Sequence, residues 1–359
     1  KKALKVMCRE IQMGVAAAQL AIHDGGLSAD KMQPTRSGCV FGADYMMTMP
    51  EEFNAGIEKC RAADGTFDYS RWATEGMPQL SPLWLLKYLP NMPASHVAIF
   101  NDLQGPNNSI TLREAASNLA VGEAFRTITR GHADLMVAGA TGTRVHPMKA
   151  VHAIQTEQIA QSNGNPAAAS RPFDLNRTGM VLGEGAGSII LEELSHALAR
   201  GATIYGEVVG HGSSQVADRH SVANRSQALE NVIRMTLADA KATTDDVGHI
   251  HAHGLASKSS DIEEAQAIRR VFGSRADTLP VTAAKSYFGN LGAGSGLIEL
   301  IGSVLSLQNN QIIPVLNYET ADPECPITVA RAGMSPGRSF LNLNVTPQGQ
   351  ASAVMVKAY

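Results

Sequence analysis

At 359 residues the chain can bury a large core, as one domain or as two closely packed halves of about 150 to 200 residues. Hydrophobic residues make up 44% and the formal charge is only −3, from 30 basic and 33 acidic side chains without a long run of either sign. That excludes a disordered chain and argues against a nucleic-acid binder, while a local basic patch for an acidic or phosphorylated partner stays open.

Four scattered cysteines, Cys8, Cys39, Cys60 and Cys325, lack metal-ligand spacing, and no continuous apolar run reaches membrane length. The expectation is a cytoplasmic protein with reduced thiols and no metal site. The 33 glycines against 5% aromatics point to close backbone packing between sheets and helices.

In chain order, Cys8 to Leu27 carries Ile11, Val15, Ala18, Leu20 and Ile22 at helical spacing and stops at Asp24-Gly25-Gly26. Ser37 to Gly42 reads as a short buried strand. A parallel sheet normally places a strand before such a helix, so a strand ahead of Cys8 is expected that the given sequence lacks. Residues 44–95 mix methionines, Trp72, Trp84 and prolines and read as excursion loops and short helices over a site or a subunit contact. Val97 to Phe100 reads as a strand.

Next comes Gly105-Pro-Asn-Asn-Ser-Ile-Thr-Leu-Arg-Glu114, a turn leading into an alanine-rich helix with Leu119, Val121, Ala124, Phe125 and Ile128. Free N–H groups at such a helix start favour an anion or a nucleophile, and the candidate is Glu114. Asp134 to Ala140 reads as a central strand that ends at a tight Gly-Ala-Thr-Gly turn. A polar loop at 161–169 precedes Ser170-Arg-Pro-Phe-Asp174, and Gly183, Gly185 and Gly187 then alternate beside the strand Ser188 to Glu192, as close packing requires.

Past Gly201 the order begins again: a strand at Ile204 to Gly210, a helix at Ala228 to Ala240, a strand ending at Ile250-His-Ala-His-Gly254, and a strand at Leu279 to Thr282. The turn Lys285 to Gly294 then leads into an apolar helix from Leu297 to Leu307. It takes the place that the Glu114 turn holds in the first half. The chain therefore reads as a duplicated α/β unit, residues 1–200 and 201–359, with two central helices whose leading turns face one cleft.

The motifs Ser170-Arg-Pro-Phe-Asp with Leu182-Gly-Glu-Gly-Ala-Gly, Ala252-His-Gly254 with Asp261 and Glu264, and Ala284-Lys-Ser286 with Gly289 resemble the β-ketoacyl-acyl-carrier-protein synthases, over essentially the whole chain. The resemblance implies the thiolase-like, layered α-β-α-β-α fold with pseudo-twofold halves. It also implies a dimer joined through a continuous sheet, and chemistry on acyl thioesters of fatty-acid or polyketide metabolism. In that family a cysteine at the central helix takes up an acyl group, and two histidines, one supported by a lysine, stabilise the enolate from malonyl thioester.

Carried over position by position, the cysteine falls on Glu114, the first histidine on His253, the lysine on Lys285 and the second histidine on Asn290. The closing glycine-rich loop is replaced by Leu341-Asn-Leu-Asn-Val-Thr-Pro-Gln-Gly349. A carboxylate attacking a thioester would form an unstable anhydride, so cysteine-dependent condensation is expected to be absent. Glu114 is expected to contact His253, Lys285 or both. Asp261 and Glu264 are read as bracing the helix that follows, and His249 and His251 as ordinary polar residues. Arg126, Arg130 and Arg144 are read as solvated surface charges.

Three functions fit this pattern. One is a non-condensing partner subunit resembling the chain-length factors, paired with a cysteine-bearing ketosynthase or with itself. Another is an acyl- or malonyl-thioester enzyme, a decarboxylase, hydrolase or acyltransferase, that uses Glu114 and His253. The last is a non-catalytic binding or scaffold protein. No covalently bound cofactor is expected; an acyl carrier protein bearing phosphopantetheine is a candidate partner.

Overall fold

The computed structural model describes residues 3–28, 31–162 and 164–359, so the loop at 161–169 is described apart from Asn163. The first half contains helices α1 (Arg9–Asp24), α2 (Asn54–Lys59), α3 (Met92–Asn101), α4 (Ala116–Thr129), α5 (Pro147–Thr156) and α6 (Leu194–Ala199). Its strands are β1 (Ser37–Ala43), β2 (Asn107–Thr111), β3 (Leu135–Thr143) and β4 (Glu184–Glu192). The second half contains α7 (Arg225–Asp239), α8 (Lys258–Phe272), α9 (Lys285–Phe288) and α10 (Ser295–Asn309). Its strands are β5 (Glu207–Gln215), β6 (His249–His251), β7 (Pro280–Thr282), β8 (Thr328–Val329), β9 (Ser339–Val345) and β10 (Gln350–Lys357).

The strand orders are β2-β1-β3-β4 and β5-β10-β9-β6-β7-β8. In the first sheet β1 pairs parallel with β2 and β3, and β4 closes antiparallel on β3. The second sheet repeats this pattern with β6, β7, β9 and β10 in the same places. It has two further strands, β5 beside β10 and β8 beside β7. Among the described residues neither β5 nor β8 has a counterpart in the first sheet. The duplication read from the sequence is thus a duplication of topology, and the fold is the layered thiolase-like one.

Helix α1 follows its sequence pattern except at Leu20, which is exposed, burying Ile11, Gly14, Ala18 and Ile22 against the first sheet. Central helices α4 and α10 are buried along the faces that meet, α4 through Ala116, Ser117, Ala120 and Ala124, α10 through Ser295, Gly296, Leu297 and Leu300. They meet at Gly296, where an added Cβ would stand 2.7 Å from the Ser117 Cβ and 2.0 Å from Asn344 Oδ1. A second close approach sets Gly183 against the Phe288 carbonyl oxygen, 2.5 Å from where a Cβ would be. Both positions need glycine for space.

Several expected elements differ. Val97 to Phe100 is the end of helix α3, which starts with Pro93 in its first turn and buries Ala94 and Val97. The strand of that region is β2, polar and exposed at the sheet edge. Strand β3 runs without a turn through Gly-Ala-Thr-Gly to Thr143. Residues 341–345 of the expected loop continue β9, and only 346–349 turn back into β10. The 44–95 excursion is held by tilted and edge-on contacts of Phe53 and Phe67 with Trp72 and of Phe53 with Trp84. No described helix is long and apolar enough to cross a membrane.

Candidate functional site

The first half presents Glu114 through a strained turn. Strand β2 ends at Thr111, Arg113 adopts φ of +48°, and a short 3-10 turn over Arg113–Ala115 feeds into α4. This turns Glu114 inward to 1% exposure. Its Oε1 accepts a hydrogen bond from Asn290 Nδ2 at 3.1 Å, and Arg113 Nε lies 3.3 Å from Oε2.

Glu157, at the end of α5, ties two guanidiniums together. Its Oε1 is 3.0 Å from Arg113 Nη2 and also bonds Arg144 Nη2. Arg144 is fully buried, which corrects its reading as a surface charge. Burial pushes the Glu114 carboxyl upward, but the Arg113 and Arg144 charges outweigh it and bring the pKa down to about 2. The nearby Asp44 shifts the other way, raised by burial despite the Lys149 charge.

The second half builds its side of the cleft from three elements. Lys285, the first residue of α9, donates through Nζ to Glu299 Oε1 on α10, to the His253 carbonyl oxygen at 2.7 Å, and to His253 Nδ1 at 3.3 Å. Glu299 also accepts from Asn344 Nδ2 at 2.8 Å. The His253 backbone is pinned by Glu264, whose two oxygens accept from the N–H groups of His253 and Gly254 at 2.7 and 2.8 Å. Burial and the Lys285 charge hold the His253 imidazole well below its ordinary pKa, so the ring is neutral. With Nδ1 facing an ammonium, the ring proton sits on Nε2.

The four expected residues therefore fall into two pairs, Glu114 with Asn290 and His253 with Lys285. Glu114 makes no hydrogen bond or ion pair with His253 or Lys285 among the described residues, which corrects that expectation. Lys285 is engaged by Glu299 and Glu114 by Arg113 and Asn290, so Glu114 acts on His253 only through space, favouring its protonated form. Asn290 is fully used, since its Oδ1 accepts from the Gly292 N–H at 3.0 Å. Asp261 and Glu264 brace the backbone of Phe173 and His253 rather than α8 alone.

Sequence reasoning missed Arg113, Glu157 and Glu299. Glu299 had a signal, a single acid inside the apolar run Leu297-Ile-Glu-Leu-Ile301. The two others had none, because they lie 44 residues apart in sequence and meet only in the folded chain. No cysteine takes part: burial raises the thiols of Cys39 and Cys325 to about 12 and that of Cys8 to about 11. No group of three or more metal-ligating side chains occurs among the described residues.

Residues 1–197 match the family "Beta-ketoacyl synthase, N-terminal domain" and residues 205–319 its C-terminal domain. The chain is 31% identical over 332 residues to 3-oxoacyl-[acyl-carrier-protein] synthase 2 of Synechocystis sp., covering 91% of this chain and 76% of that protein. The corresponding protein of Staphylococcus aureus is 31% identical over 330 residues, covering 92% and 78%.

Among solved structures, a β-ketoacyl synthase from Burkholderia phymatum superposes with a TM-score of 0.86 at 25% identity, covering 100% of this chain and 84% of that one. The ishigamide ketosynthase/chain length factor gives 0.82 at 26%, covering 99% and 83%. A structure of a type II polyketide acyl-carrier protein in complex with its ketosynthase bound to a hexaketide gives 0.82 at 27%, covering 98% and 85%. The doubled topology, the paired leading turns and these matches across both halves agree: the chain belongs to the β-ketoacyl synthase family.

Proposed function

We propose that this chain is a ketosynthase-fold partner subunit of fatty-acid or polyketide-type metabolism that does not condense acyl groups itself, in the manner of a chain-length factor. The observation that carries this reading is Glu114, standing where the resemblance puts the nucleophilic cysteine. A buried carboxylate with a pKa of about 2, paired with Arg113 and bonded to Asn290, is a weak nucleophile and a weak base. The same bond engages the amide at the second-histidine position, so Asn290 is not free to hold an enolate oxygen.

A partner reading is further supported by the edge of the first sheet. Among the described residues strand β2 is unpaired on one side, and it runs straight into the Glu114 turn, two residues beyond its end. Met148, Val151 and Ile154 on α5, the helix that ends at Glu157, leave an apolar row exposed. The occupant we propose is a second ketosynthase-fold chain, either a cysteine-bearing homologue or another copy of this protein. An acyl carrier protein with its phosphopantetheine arm would then deliver acyl groups to the pair.

A second reading, an enzyme acting on acyl or malonyl thioesters, is favoured by one observation only, the neutral His253 with its Nε2–H and its Lys285–Glu299 support. The deciding experiment measures CO2 and free acid released from malonyl- and acyl-carrier protein by this chain alone, by the Glu114→Gln variant, and by this chain with a cysteine-bearing homologue. Stable co-purification and product only with the homologue supports the partner reading. Turnover by the lone chain, lost in Glu114→Gln, overturns it in favour of the enzyme.

A further inference from the structure

His249, His251 and His253 alternate through the end of β6, and only His253 belongs to the cleft described above. The other two are fully buried, as is Ser303 on α10. They form one continuous hydrogen-bonded chain. His249 Nδ1 lies 2.7 Å from the Pro336 carbonyl oxygen and its Nε2 3.0 Å from Ser303 Oγ. Ser303 Oγ lies 2.8 Å from His251 Nδ1, and His251 Nε2 lies 3.1 Å from the backbone nitrogen of Ala284. The His249 ring also stacks on Phe340 with centroids 5.2 Å apart.

The protons in this chain are fixed by elimination. The Ala284 N–H can only donate, so His251 Nε2 accepts and its proton is on Nδ1. The Pro336 carbonyl can only accept, so His249 donates from Nδ1 and accepts at Nε2. Ser303 then receives the His251 proton bond and donates to His249, and every group is satisfied with both rings neutral. Their burial agrees, since it pushes His249 down to about 4 and His251 well below its ordinary range, the latter helped by the Lys285 charge. Protonating His251 would set an N–H against the Ala284 N–H.

Ala284 immediately precedes Lys285, and α9 is only four residues long, too short to orient itself. Yet Lys285 must reach Glu299, the His253 carbonyl and the His253 ring together. We infer that His251, backed by Ser303 and His249, is a positioning residue that fixes the Ala284–Lys285 backbone and so holds Lys285 on His253 and Glu299. This rests on the reading of that cluster as the functional site, and its test needs no turnover, so the two can fail separately.

The first test uses the full chain with 15N-labelled histidine. The ring nitrogen shifts are expected to show the Nδ1–H form for both His249 and His251, and a His251 with its proton on Nε2 overturns the inference. The second test follows reductive methylation of Lys285 by peptide mass spectrometry, together with the titration of His253. His251→Leu is expected to speed Lys285 methylation about tenfold by favouring local opening, and to raise the His253 pKa as the ammonium moves off. Ser303→Ala is expected to do the same to a smaller extent. Val97→Ala, a cavity in the core of the first half, serves as a control of similar destabilisation. Equal methylation rates in His251→Leu and Val97→Ala overturn the inference; should His251→Leu not fold, Ser303→Ala and the tautomer decide.

Discussion

The two leading turns that face the cleft have the same place in the fold and opposite contents. The first, at Glu114, is a knot of fixed charges in which two arginines share Glu157 and one of them grips Glu114. The second, at Lys285, sets one ion pair beside a neutral imidazole whose Nε2–H is not used by the protein among the described residues. The difference teaches that a duplicated scaffold can carry unlike arrangements of charge at its two equivalent turns. Buried charge is tolerated on either side only where each ion has a close partner.

The largest effect expected from this comparison is at the second turn. Glu299→Ala leaves Lys285 buried without its counter-ion and is expected to cost about 3–5 kcal/mol in urea unfolding. Lys285→Met combined with Glu299→Leu should recover most of that loss. A double variant as unstable as the single would show that the pair is not what the site depends on.

At the first turn the counterpart is an acid window. The Glu114 pKa is depressed in the folded chain from 4.5 to about 2, so its stabilisation is present above pH 4.5 and is lost as pH falls toward 2. From the shift this is up to about 3 kcal/mol, read as the difference between the native protein and Glu114→Gln across that range. His249 acts in the same direction in a higher window, from its ordinary 6.5 down to about 4. Glu264, raised to about 7 by burial, acts oppositely and gains stability as pH falls. The variant difference isolates Glu114 from both, and a difference that does not change between pH 5 and 2 would remove the charge knot from the comparison.

Between the two turns, Gly296→Ala tests how tightly α4 and α10 must approach. The added methyl meets Ser117 and Asn344, and a loss of about 1–3 kcal/mol is expected in thermal unfolding. The smallest effect on the folded chain is on the exposed row of α5. Ile154→Glu should change stability by no more than about 0.5 kcal/mol. It should nonetheless weaken association with a ketosynthase-fold partner, measured by sedimentation.

Much of the fold was legible because hydrophobic spacing and glycine placement repeat between the halves, from α1 and α7 through α4 and α10. Strand β2 was not, since an edge strand of Asn, Asn, Ser, Ile and Thr carries no buried pattern, whereas the apolar end of α3 imitated one. At the site, the helix start marked Glu114 and the motifs of the family resemblance marked His253, Lys285 and Asn290, but not their pairings. Arg144 illustrates the limit: in sequence it follows a strand like any surface arginine, and only the return of α5 through Glu157 buries it. His249 and His251 were passed over for the same reason, as their partner Ser303 lies more than fifty residues away.

The closely approaching α4 and α10 have a consequence for how the molecule comes apart. Beside their crossing, Asn118 of α4 donates to the Asn342 carbonyl and to Asn344 Oδ1, and Asn342 Nδ2 donates back to Asn118 Oδ1 and to the Gly296 carbonyl. These amides lie in the dry interior and belong to opposite halves. Separating the halves would strand them without partners, so neither half is expected to persist when the other melts. What descends from a repeated unit has become one cooperative body, and a calorimetric trace of it should show a single transition.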